Sequence, residues 1–74
     1  MRILVTGGAG FIGSNLAVNL SHAFADAAIL CIDNLYRRGS ELNLARLRDS
    51  AVAFYWGDIL DPSAFPPGPF DFII

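Results

Sequence analysis

The first thirteen residues, Met-Arg-Ile-Leu-Val-Thr-Gly-Gly-Ala-Gly-Phe-Ile-Gly, constrain the fold more than any other stretch. Ile3, Leu4 and Val5 form a short apolar run with no polar alternation. A strand of that kind is buried on both faces, as in a parallel sheet. Glycines then fall at positions 7, 8, 10 and 13. After them the period changes. Phe11, Ile12, Leu16, Leu20, Ala23 and Phe24 recur at helical spacing, which predicts a helix over Phe11–Phe24. A strand that breaks into a glycine turn and then a helix opens a βαβ crossover.

The remaining chain continues the alternation. Ala27–Asp33 reads as a second apolar strand ending in an acid, and Asn34–Ser40 as a polar loop. Ser40 is expected to cap a short helix whose apolar face is Leu42, Leu44 and Leu47. Ala51–Trp56 reads as the third strand, ended by Gly57-Asp58. Asp61–Phe65 suits one helical turn, because proline is favoured early in a helix. Pro66-Pro67-Gly68-Pro69 then forbids continuation, and Phe70–Ile74 reads as the start of a fourth strand. The order predicts an α/β fold: the N-terminal part of a Rossmann-type doubly wound parallel sheet, βαβαβ with a fourth strand begun.

Composition fits part of something larger. Hydrophobic residues make up 54% of 74 residues, more than a globule of this size hides well. The single cysteine, Cys31, forms no internal disulfide. Phe70, Phe72, Ile73 and Ile74 leave bare apolar residues where a surface terminus is ordinarily polar. The expectation is that residues 1–74 are the first half of a nucleotide-binding domain, with catalytic and substrate-binding parts elsewhere. Five arginines against seven acids leave a net charge of −2, so there is no basic footprint for nucleic acid. The longest apolar run, Ala27–Ile32, is far short of a membrane span. Arg2, the apolar run after it and Ala25-Asp26-Ala27 faintly imitate a secretory signal, but the glycines interrupt the hydrophobic region. The expected location is cytoplasmic.

The glycine spacing carries the chemistry. Both Gly8-x-Gly10-x-x-Gly13 and Gly7-x-x-Gly10-x-x-Gly13 fit a dinucleotide fingerprint. One glycine permits a turn with positive φ, another lets backbone approach a pyrophosphate, and the last admits close packing of helix on strand. The helix then aims its first N–H groups and positive dipole end at the phosphates, with the Phe11 and Ile12 amides best placed. Asp33 ends the next strand twenty residues after Gly13, close to the spacing of a ribose-binding acid. The plainer alternative is an ordinary strand–helix turn beside an unrelated aspartate.

Thr6-Gly7-Gly8-Ala9-Gly10-Phe11-Ile12-Gly13-Ser14-Asn15-Leu16, Asp33-Asn34-Leu35 and Gly57-Asp58-Ile59 together resemble the extended short-chain dehydrogenase/reductase family, which holds the NAD-dependent sugar-nucleotide epimerases and dehydratases. Within it, Asp33 to Ser40 followed by Asn43-Leu44 most resembles CDP-paratose 2-epimerases and related epimerases. The resemblance implies that Gly7, Gly10 and Gly13, with the Phe11 and Ile12 amides, hold a pyrophosphate. It implies that Asp33 takes the ribose hydroxyls, that Asn34 and Leu35 line that pocket, and that Asp58 and Ile59 meet the adenine. Arg38 is expected to flank the adenine or ribose. For Asp58 a strand-end turn role is the bland alternative, and for Arg37 and Arg38 a solvated loop charge. Asp33 repels a 2′-phosphate, whereas the nearby arginines accommodate one, so NAD is expected ahead of NADP.

The family's reaction is hydride transfer assisted by a tyrosine and a lysine four residues on. Neither Tyr36 nor Tyr55 has such a lysine, since the chain has none, so no catalytic residue is expected here. The resemblance implies a nucleotide-sugar substrate and a homodimeric parent. A reductase acting on a non-sugar alcohol, and a non-catalytic nucleotide-binding regulator, stay open beside it. No metal site is expected: His22 has no partner ligand. Cys31 is expected to be an inert packed thiol, Tyr55 and Trp56 to pack on the sheet, and Tyr36 either to shield the adenosine or to lie on the surface. The family's longer helix between the third and fourth strands has room here for one turn only.

Overall fold

Ile3, Leu4 and Val5 sit at the heart of a four-stranded sheet in the computed structural model, which describes all residues from Met1 to Ile74. The strands are β1 (Arg2–Thr6), β2 (Ala28–Asp33), β3 (Ala53–Trp56) and β4 (Phe72–Ile73), in the order β3-β2-β1-β4. All neighbours pair in parallel, with Val5 opposite Cys31 and Asp33 opposite Trp56. The pleat sends Ile3, Val5, Ile29 and Cys31 to one face, where Ala17, Leu47 and Val52 cover them. Leu4, Leu30 and Ile32 point the other way, under Ala64, Phe65 and Phe70. This is the expected parallel α/β arrangement. Because β4 returns to the far side of β1, the winding reverses at the C-terminal end of β1, where open α/β sheets bind ligands.

Cys31 is fully buried in that core. Burial, with the Asp33 carboxylate adding to it, pushes its thiol up to about 12 from 9.0. The folded chain therefore keeps this proton where the unfolded chain releases it. Stability contributed by the group is intact below pH 9.0 and falls as pH rises toward about 12. The slope is at most ~1.4 kcal/mol per pH unit. Denaturant titrations across this window should show that slope in the native chain and lose it in Cys31→Ala; equal slopes would contradict the assignment.

Helix α1 spans Phe11–Ala23, one residue shorter than expected, with Phe24 as its C-cap. Leu16 and Leu20 of the face read from the spacing pack against the core, but its ends do not. Ser14 and Ala17 are buried, whereas Phe11 and Ile12 are 79% and 80% exposed. The helix leaves the glycine turn so close to the sheet that only small side chains fit beneath it. Its first-turn residues lie past the strand ends, with no sheet to cover them.

Ser40 does not cap a helix. Gly39, at φ +90°, precedes a 3₁₀ turn over Ser40–Asn43, and Ser40 is buried with no capping hydrogen bond. Helix α2 follows over Leu44–Asp49; Leu47 is buried but Leu42 is exposed, because the 3₁₀ turn rotates it off the α2 face. Strand β3 starts at Ala53 rather than Ala51. Ala51 is spent closing α2: at φ 58° it donates to the Arg48 carbonyl, while Val52 donates to that of Leu47. This is a Schellman closure, which usually has glycine where Ala51 stands.

The expected single turn between β3 and β4 is a 3₁₀ turn over Pro62–Ala64, capped by the Asp61 carboxylate accepting from the Ser63 N–H at 3.1 Å. The proline segment after it is tied to β1 by Arg2. The Arg2 guanidinium donates to the Pro67 and Pro69 carbonyls at 2.9 and 3.1 Å and lies over the Phe70 ring. Trp56 departs from expectation: it is 67% exposed, since β3 is an edge strand with nothing over that side. The outer edge at β4 likewise leaves Phe72, Ile73 and Ile74 exposed.

Candidate functional site: a glycine cradle joined to two hollows

Gly7 turns the chain out of β1 at φ +65°, a left-handed conformation that an L side chain rarely adopts. The Gly7 and Gly8 N–H groups both donate to the Ile32 carbonyl, at 2.9 and 3.3 Å, which hangs the turn on the end of β2. Gly10 donates to the Gly7 carbonyl at 3.0 Å and accepts from the Ser14 N–H at 2.9 Å, closing the turn and starting α1. The close approaches differ in detail from the sequence expectation. Gly8, not Gly13, admits packing on the strand: a Cβ there would fall on the Cys31 side chain. Gly13 admits packing of the helix on the turn itself, since its Cβ would overlap the Gly7 carbonyl.

The hydrogen-bond ledger of this segment identifies its free donors. The amides of Gly7, Gly8, Ala9 and Gly10 are all paired within the chain. Those of Phe11, Ile12 and Gly13 have no partner in it. They are the orphan donors of the helix start, and the dipole adds positive potential there. Gly10, Ile12 and Gly13 line a hollow of about 520 Å³. The strand ends contribute Val5, Thr6, Asp33 and Ile74 to it, and the segment after β2 contributes Asn34, Tyr36, Arg37 and Ser40.

A second hollow, of about 210 Å³, lies between the ends of β2 and β3 and is lined by Ile32, Gly57, Asp58 and Ile59. The two hollows share Gly7, Asp33 and Asn34. Asp33 is the joint between them. One carboxylate oxygen accepts from the Ala9 N–H at 3.0 Å and the other from the Leu35 N–H at 2.8 Å. Each oxygen keeps a further lone pair for a ligand hydroxyl. Leu35 is held at φ 57°, an unfavourable conformation for leucine, and the Asp33 bond is what fixes it. Asp58 accepts from the Leu60 N–H at 2.8 Å, so the turn role coexists with its place in the smaller hollow.

Most residues singled out from the sequence therefore converge. Gly7, Gly10, Ile12, Gly13, Asp33 and Asn34 meet at the larger hollow, and Asp58 and Ile59 at the smaller. Phe11 offers its amide, and Leu35 is tied in through its backbone. Arg38 lines neither hollow; Arg37 lines the larger one. Tyr36 lines it too while being 90% exposed. Sequence reasoning assigned no role to Asn43, whose side-chain amide donates to the Ala9 carbonyl at 2.7 Å. Its only signal was the Asn43-Leu44 pair. No three His, Cys, Asp or Glu side chains gather into a metal-binding group. No helix is long and apolar enough to cross a membrane.

Known proteins resemble this chain in sequence. Residues 3–66 match the NAD dependent epimerase/dehydratase family. The chain is 44% identical over 61 residues to a dTDP-D-glucose 4,6-dehydratase of Dictyostelium discoideum, covering 81% of this chain and 14% of that protein. It is 46% identical over 63 residues to a UDP-glucose 4-epimerase of Pasteurella multocida, covering 82% and 18%. It is 43% identical over 61 residues to a dTDP-glucose 4,6-dehydratase of Mycobacterium tuberculosis, again covering 82% and 18%. The match thus spans less than a fifth of each relative's length. With the glycine turn, the switch-point topology and this match in agreement, the chain belongs to the NAD-dependent epimerase/dehydratase family.

Proposed function

We propose that residues 1–74 supply the adenosine–pyrophosphate half of an NAD site in an NAD-dependent nucleotide-sugar epimerase or dehydratase. The observation that carries this reading is the trio of unpaired amides at Phe11, Ile12 and Gly13 beside a hollow that shares Asp33 with a second one. Gly7 lines the hollow without a side chain and Gly13 lets α1 sit close on the turn, so a pyrophosphate can approach the backbone. Asp33 accepts from the ribose hydroxyls with the lone pairs its two backbone bonds leave. Asp58 and Ile59 bound the adenine, with the Asp58 carboxylate near the exocyclic amine.

NAD supplies reversible hydride acceptance at its nicotinamide ring. The work of these residues is to bind and orient; none of them is assigned a proton transfer. The relatives named for UDP-glucose and dTDP-glucose point to a nucleotide sugar as the substrate class. An arrangement of donors and an acid fixed before the ligand arrives favours binding, because little reorganisation is needed.

The test is a paired titration with NAD and NADP. An acid that takes the ribose hydroxyls repels a 2′-phosphate, so with Asp33 in that role NADP should bind about tenfold more weakly. Arg37, which lines the same hollow, supports the competing reading of an NADP site. Tighter binding of NADP would overturn the NAD assignment and leave the rest of the site standing.

A further inference from the structure

Ala9 is the one residue of the glycine turn whose two backbone groups are both held by distant side chains. Its N–H donates to Asp33, 24 residues away, and its carbonyl accepts from Asn43, 34 residues away. Ala9 itself is fully buried. Asn43 occupies the N-cap position of α2, where an asparagine ordinarily accepts a hydrogen bond from a first-turn amide. Here it makes no capping bond, and its carboxamide reaches the glycine turn instead, at 2.7 Å. One helical turn further, the Arg46 guanidinium donates to the Asn15 side-chain oxygen Oδ1 at 2.9 Å, and the Asn15 side-chain Nδ2 donates to the Phe11 backbone carbonyl at 2.8 Å. The segment 43–46 thus braces both the turn and the first turn of α1.

We propose that Asn43 is a positioning residue for the phosphate cradle: its carboxamide locks Ala9 from the carbonyl side and so presets the direction of the Phe11, Ile12 and Gly13 N–H groups. This rests on reading the site as a pyrophosphate cradle. The Ala9 carbonyl needs a donor at this position. Ala9 and Asn43 are buried and half-buried, so a lost bond is not replaced freely by water. Asn43 touches no ligand hollow itself, and its effect is carried through Ala9.

Asn43→Asp is the discriminating variant. Aspartate caps a helix as well as asparagine does, so a residue that served only α2 would tolerate the exchange. A carboxylate has no donor for the Ala9 carbonyl and sets an anionic oxygen against it. ADP and adenosine are the two probes, read by amide chemical shifts. In Asn43→Asp, ADP should bind about tenfold more weakly while adenosine changes by less than about twofold. Asn43→Ala, which removes the donor without adding repulsion, should lie between, and it serves if the aspartate variant does not fold. In the ligand-free protein, amide exchange at Ala9 and Gly10 should quicken in either variant relative to the β2 core. Unchanged ADP affinity, or a parallel loss of ADP and adenosine, would overturn the proposal. If the native chain binds no ADP, the functional reading fails. The exchange measurement then decides the positioning claim alone, and unchanged exchange refutes it.

Discussion

Gly13→Ala should abolish measurable NAD binding and destabilise the chain by roughly 2–3 kcal/mol, a magnitude typical of overpacking a tight contact. The added methyl would overlap the Gly7 carbonyl oxygen and press on Gly7 C and Gly8 Cα at 2.9 and 3.0 Å. All three are backbone atoms, so no rotamer change relieves the contact. Either α1 moves off the turn, or the turn gives up the left-handed Gly7 and its bond from Gly10. Both displace the unpaired amides from their place beside the hollow. Gly10→Ala is the milder control, since its Cβ would meet only the Gly7 carbonyl oxygen at 3.3 Å. Denaturation midpoints and NAD titrations on the two variants check the ranking. A Gly13→Ala chain that melts and binds like the native one would refute the packing argument.

Asp33→Asn should cost about 10- to 100-fold in NAD affinity although its shape is nearly unchanged. The carboxylate now accepts from two backbone amides, those of Ala9 and Leu35, one on each oxygen. A carboxamide has one oxygen, so its NH₂ must face one of these N–H groups. Leaving one such donor unpaired at a half-buried site costs ~1–3 kcal/mol, and the charge that strengthens ribose hydroxyl bonds is lost as well. If the Leu35 amide is the one abandoned, its strained conformation at φ 57° relaxes and the wall after β2 shifts. Affinity for NAD and for inorganic pyrophosphate should be measured side by side. The loss should be larger for NAD, because only NAD presents a ribose. An equal loss for both would place Asp33 in a purely structural role.

The glycine turn and Asp33 were legible because their requirements act on single residues. A backbone at φ +65° selects glycine, and an acid at a strand end advertises itself by its charge. The parallel sheet was legible for the same reason, since strands buried on both faces must be uniformly apolar. What escaped was set by distance and neighbours. Asn43 acts across 34 residues, which no local pattern records. Phe11 and Ile12 obey helical spacing yet stand in solvent, because the sheet ends before them. Ser40 looks like a cap, but Gly39 already turns the chain. Ala51 leads into the apolar run Val52–Trp56 and so reads as strand, and the closure of α2 claims it instead. Trp56 has a strand's composition, but edge position, not hydrophobicity, decides its exposure.

The central claim is that one connected surface, from the α1 amides through Asp33 to Asp58 and Ile59, receives the adenosine and pyrophosphate of NAD. The NAD titration read residue by residue tests it most directly. These residues meet only part of the ligand, so binding should be weak, with Kd near ~1 mM. Saturable shifts should appear together at the amides of Phe11, Ile12 and Gly13, at Asp33 and Asn34, and at Asp58 and Ile59, with one shared Kd. Shifts confined to other surfaces, or none at these residues at saturating NAD, would contradict the account.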